Sequence, residues 1–225
     1  MPSRVAFMFR AFGYRNYRLF FGGQIVSLVG SWISMTATSW LVYRLTGSAM
    51  MLGVVGFAGQ FPGFVMGPFA GAFLDRWDRH KVLIVTQSIS MLQSFALALL
   101  TFTGHITVPA IIALNAVQGI VNAFDMPARQ AFLPTMISDR EDLANAIAMN
   151  SSMFNAARLV GPSIAGFMIA TAGEAWCFLA DGMSYFAVIL ALVAMTDVRR
   201  PHRPATHQKV HCFLFLLKRP LPRPG

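Results

Sequence analysis

The chain has 225 residues, of which 56% are hydrophobic and 12% charged, and its formal net charge is +9. The charged share is about half that of an ordinary soluble domain, which excludes a soluble enzyme and predicts an all-α membrane protein. Two distant cysteines, Cys177 and Cys212, give neither a disulfide framework nor a metal-ligand spacing. No nucleophile–base set, metal cluster or phosphate-binding loop occurs either, so no enzyme activity, metal or cofactor is expected.

A helix needs about 20 mostly apolar residues to cross a ~30 Å hydrocarbon core. In chain order, a basic segment (1–18) precedes a first run at 19–43, too long for a signal-peptide core and without a small-x-small cleavage site close behind. Along this run Gln24, Ser27, Ser31, Ser34 and Thr38 recur at steps of three and four, which aligns them on one helical face. The second run, 50–74, places Gly59, Gly63, Gly67 and Gly71 every four residues, a flat face for close helix approach.

The loop "DRWDRHK" follows, the most charged stretch of an otherwise uncharged region, and then a third run at 82–102. The fourth run, 108–124, carries a second polar stripe: Asn115, Gln118, Asn122, Asp125 and, at its end, Arg129 share one face. Such stripes are either hydrogen-bonding seams between helices or the wall of a water-filled pathway; two amides and a carboxylate favour the pathway for the fourth run. Asp125 and Arg129, four residues apart, have the spacing of a pair along one helix.

The fifth run, 146–170, contains Arg158 at mid-depth, where a charge costs about 2.5–3.5 kcal/mol. That cost calls for a partner or water, and a cavity-facing, anion-binding Arg158 is the sharper expectation. Gly161, Pro162 and Gly166 in the same run are packing and hinge elements, Pro162 removing one backbone hydrogen bond. The sixth run, 175–195, holds Asp181 nearer its outer end.

Lys and Arg mark the cytoplasmic side of a membrane protein. With the N-terminus inside, that side receives Arg4, Arg10, Arg15, Arg18, Arg76, Arg79, Lys81, Arg129, Arg140, Arg199, Arg200 and Arg203, whereas the outer side receives Arg44 alone. Both termini are therefore expected in the cytoplasm and the chain in the inner cell membrane. The same distribution accounts for the basic charge without a nucleic-acid partner.

The motifs then support a family. "GAFLDRWDRHK" resembles the loop between helices two and three of the major facilitator superfamily, in which a Gly, an Asp-Arg and a basic pair form a signature. Gly71, Asp75, Arg76, Arg79 and Lys81 match it, while Asp78 replaces a usual Gly and His80 the second basic residue. "FDMPARQAFLPTMI", "LANAIAMNSS" and "RLVGPSIAGF" resemble the enterobactin-exporter-like, transmembrane secretion effector branch. "RLVGPSIAGF" is also similar to the fifth-helix motif of drug/proton antiporters.

The resemblance implies a six-helix N-terminal half (19–198) built as a 3+3 inverted repeat, with helices one and four lining a central cavity. It implies alternating access against a second six-helix half, with small molecules exported and protons as coupling ion. Asp75 would latch the inner gate, braced by Arg76 and Arg79. For the proton, Asp125 is the first candidate and Asp181 the second. Residues 199–225, basic, rich in proline and without an acidic residue, read as a frame-shifted or truncated end, or as a tail for anionic lipid headgroups. Three outcomes stay open: an exporter half whose partner half is missing, a homodimer joined along the glycine face, or a non-transporting remnant.

Overall fold

The structure is a computed structural model that describes residues 10–74, 76–137 and 139–195. Within them lie six long helices: α1 (Arg15–Thr46), α2 (Ala49–Leu74), α3 (Arg79–Phe102), α4 (Val108–Phe132), α5 (Arg140–Thr171) and α6 (Glu174–Val193). All six contain segments long and apolar enough to cross a membrane, and no strand occurs among the described residues. Short 3-10 turns at Arg10–Gly13 and Leu133–Thr135 precede α1 and follow α4. The tail from residue 199 onward lies outside the described residues.

Each apolar run becomes one helix, but the helices outlast the runs. α4 continues past residue 124 to Phe132, so Asp125 and Arg129 stand inside it, and α5 starts at Arg140 instead of residue 146. Hydropathy marks the hydrocarbon thickness. Helical hydrogen bonding has no reason to stop where the membrane does.

Local chemistry sets the ends. Asp78, the residue that departs from the loop signature, is the N-cap of α3, and its Oδ1 accepts from the His80 N–H at 3.0 Å. Thr107 caps α4 in the same way through Ala110. Gly47 closes α1 in the left-handed region at φ 61, where its N–H reaches the Tyr43 carbonyl at 2.8 Å. Pro62, Pro68, Pro127 and Pro162 all lie inside helices that run on through them, as membrane helices tolerate.

The helices interlock across the two halves of the chain. α1 packs chiefly on α5 and α6, α4 chiefly on α2 and α3, and α3 meets α6 between them. Each group of three lends its first helix to the other group's last two, the arrangement expected of an inverted repeat. Close approach is achieved through glycines: a Cβ on Gly119 of α4 would overlap the Gly59 carbonyl, and one on Gly161 of α5 would overlap Trp32 of α1. The glycine face of α2 is only partly used this way. Cβ positions at Gly59 and Gly63 lie 3.8 and 3.6 Å from Asn115 and Gly119, whereas Gly67, Gly71 and, on α5, Gly166 face open space.

Two apolar clusters close the bundle at its ends. Tyr17, Phe20, Leu74, Leu83, Phe132 and Leu192 fill the end predicted to face the cytoplasm, and Ile33, Leu41, Leu97, Ile111 and Phe178 fill the other. Polar residues are concentrated in the layer between them. Outside, Phe57, Phe61, Phe64 and Phe69 of α2 are exposed, as on a surface that meets lipid or another helix bundle.

Candidate functional site

The middle layer lines a cavity of about 690 Å³ whose wall includes both predicted stripes. From α1 come Gln24, Ser27, Ser31, Ser34 and Thr38, and from α4 Asn115, Gln118, Asn122, Asp125 and Arg129. α2 and α5 complete the wall with Gln60, Asn150, Ser151, Phe154 and Asn155. A third polar face, on α3, went unnoticed in the sequence: Thr86, Gln87, Ser90, Gln93 and Ser94 are all buried. Its steps of three and four are the same signal that marked α1 and α4. Tyr185 and Asp181 of α6 close the floor.

Asp125 is 4% exposed and fully engaged. One carboxylate oxygen accepts from Thr86 Oγ1 and Gln87 Nε2, each at 2.8 Å, and the other pairs with the Arg129 guanidinium one turn on. Gln24, with its amide oxygen turned toward Arg129, accepts from the same guanidinium. Thus α1, α3 and α4 are joined around one ion pair. The expected pairing along α4 is present, but tertiary partners on two other helices surround it.

Gln118 continues the polar network, donating to Ser90 Oγ and Asn122 Oδ1, each at 3.1 Å. Asn115 bonds back to the Ile111 carbonyl at 2.9 Å. Ser31 donates to the Ser27 carbonyl at 3.0 Å and lies 3.2 Å from the Tyr185 hydroxyl. Asp181, in the same cavity wall, is 3% exposed and accepts from Ser94 Oγ at 2.7 Å through Oδ2.

Arg158 stands elsewhere than expected. It is exposed on α5, outside the cavity wall, with its guanidinium carbon 5.8 Å from the centre of the Trp32 ring. A cation over an aromatic face is stabilised by the ring quadrupole, and Trp32 itself belongs to the wall. Arg158 therefore borders the cavity through Trp32. Gly161 is a close-packing position against α1, and α5 passes through Pro162 as one helix.

The charged loop ties the bundle together at one end. Arg79 Nη1 donates to the Ala131 carbonyl of α4 at 3.1 Å, and His80 Nε2 lies 2.9 Å from the Leu192 carbonyl of α6. Arg76 and Lys81 are exposed, and Asp75 lies outside the described residues. At the same end Asp142 holds the N-terminal turn, pairing with Arg10 at 3.1 Å and accepting from the Tyr14 hydroxyl at 3.1 Å. At the opposite end Arg44, the lone outer cation in the sequence reading, pairs with Glu174 at 3.1 Å.

The sequence is similar to those of known proteins. Residues 8–211 match the family described as transmembrane secretion effector. Over 174 residues the chain is 32% identical to a staphyloferrin A transporter of Staphylococcus aureus, covering 77% of this chain and 44% of that protein. It is 30% identical over 159 residues to macrolide efflux protein A of Streptococcus pyogenes, covering 69% of this chain and 39% of the relative. An enterobactin exporter of Escherichia coli is 26% identical over 193 residues, with 83% of this chain and 43% of the exporter covered. The chain spans less than half the length of each of these relatives.

Proposed function

The chain belongs to the transmembrane secretion effector family of major facilitator transporters, and from that premise we propose that it supplies the N-terminal half of a proton-coupled exporter of small amphipathic molecules. The observation that carries this reading is the cavity lined by the polar stripes of both α1 and α4. At about 690 Å³ it falls within the range of small-molecule pockets, roughly 300–1,000 Å³. Its wall mixes hydroxyls and amides with Trp32, Phe154 and Tyr185, which suits molecules with both polar and apolar faces. Siderophores and macrolides, named for the relatives, are of this kind.

In this reading both termini lie in the cytoplasm and the second half of the rocking pair is a C-terminal six-helix unit or a second copy of the chain. Asp75 latches the inner gate against that half, while Arg79 and His80 hold the ends of α4 and α6 in place behind it. The two buried carboxylates of the cavity are the candidates for carrying the coupling proton.

The test is flux of erythromycin and of staphyloferrin A in liposomes containing the inserted chain, with crosslinking to identify its oligomeric state. Gradient-dependent flux that collapses with a protonophore is expected, and crosslinked dimers would identify the second half as another copy. Correct insertion without gradient-dependent flux, whether the chain is monomeric or dimeric, overturns the reading in favour of a non-transporting chain.

A further inference from the structure

Asp181 is a buried carboxylate with no counter-cation among the described residues. The ion pairs Arg10–Asp142, Arg44–Glu174 and Arg129–Asp125 do not involve it. Its Oδ2 accepts from Ser94, but Oδ1 has no hydrogen-bond partner although it is sealed from solvent. An acceptor left unpaired in an apolar span is costly, and an unpaired charge more so.

The neighbouring hydroxyls are largely committed elsewhere. Ser184 donates to the Asp181 backbone carbonyl at 2.7 Å, Ser31 donates to Ser27, and Ser94 is already spent on Oδ2. The groups facing Asp181 are Gly30, Ser31 and Ser34 of α1, Ser94 with Gln93 behind it on α3, and Ser184 and Tyr185 of α6. Tyr185 is the only other titratable group in this set, and it lies within electrostatic reach of both Asp181 and Asp125.

We propose that Asp181 Oδ1 is the seat of the coupling proton, a role that rests on the exporter reading above. A proton entering from the cavity bonds to Oδ1, the atom left without a partner, and the carboxylate becomes a neutral carboxylic acid. When the cavity opens to the other side, that O–H bond breaks and the proton leaves to water. The available space favours a proton over a metal cation: a Cβ placed on Gly30 would stand only 3.0 Å from Oδ1, and no second carboxylate faces it among the described residues. Asp125, neutralised by Arg129 and saturated by Thr86 and Gln87, serves instead as a fixed strut.

The experiment is infrared difference spectroscopy of the chain in liposomes through a pH titration, reading the C=O stretch of the protonated carboxyl. That band should disappear in Asp181→Asn, persist in Asp125→Asn, and shift in frequency in Ser94→Ala, which keeps the carboxyl and alters only its hydrogen bond. Replacing choline chloride by sodium chloride at constant pH should leave it unchanged. Persistence of the band in Asp181→Asn, no shift in Ser94→Ala, or its displacement by sodium overturns the proposal. The flux assay separates the two readings. A band lost in Asp181→Asn without any proton-driven flux in the parent chain sinks the exporter reading and keeps the proton seat, whereas gradient-driven flux unchanged in Asp181→Asn does the reverse.

Discussion

Asp125 and Asp181 occupy the wall of one cavity, are almost equally buried, and are built differently. Around Asp125 the chain provides a guanidinium, a hydroxyl and an amide from two helices. Around Asp181 it provides serine hydroxyls, Ser94 bonded to it and Ser31, Ser34 and Ser184 beside it, the bare backbone of Gly30, and no cation among the described residues. A compensated carboxylate binds helices together, and removing its partner leaves a stranded charge. An uncompensated one adds little to stability and keeps its chemistry available.

That contrast can be broken by substitution, beginning where the effect is greatest. Arg129→Ala strands the Asp125 charge and should lower stability by about 3–5 kcal/mol, read as a fall in the thermal midpoint in detergent. A change near zero would show that Asp125 is as weakly held as Asp181. Gly30→Ala drives a methyl into Ser184 and toward Oδ1 of Asp181. Overpacking of this kind costs about 1–3 kcal/mol, whereas Gly67→Ala, with nothing within 4 Å of the new methyl, should leave the midpoint unchanged. Equal shifts in the two variants would mean that the Asp181 niche is not tight.

Ser94→Ala removes one interhelical hydrogen bond and should cost about 0.6 kcal/mol, with roughly 1.7 as the upper end. Asp181→Asn should cost less still, because the amide oxygen can still accept from Ser94 and a charge without a partner is gone. A loss as large as that of Arg129→Ala would place a hidden cation beside Asp181.

Much of this architecture is legible in the chain. The six apolar runs correspond to the six helices, and the three-four spacing on α1 and α4 marks residues of the cavity wall. The spacing on α3 carried the same information. It is less plain there because Thr86, Gln87, Ser90, Gln93 and Ser94 advance by one, three, three and one, two adjacent pairs about Ser90 instead of the single file of threes and fours on α1. Asp78 looked like a defect in a loop motif and proved to be a helix cap, a role that its position just before α3 could have suggested.

Periodicity, charge placement and span length are one-dimensional properties, so the sequence by itself determined the number of helices, their polar faces and the membrane class. Which faces meet is a three-dimensional matter. Asp125 has a partner four residues away along its own helix, visible in the sequence, but Thr86, Gln87 and Gln24 reach it only because α3 and α1 pack beside α4. Arg158 looked like a cavity residue from its depth, and the rotation of α5 turned it onto Trp32 instead. For Asp181 the decisive fact is what the packing leaves out. Depth along a helix is counted from the sequence, but the absence of a donor at Oδ1 appears only once α1, α3 and α6 have closed around it.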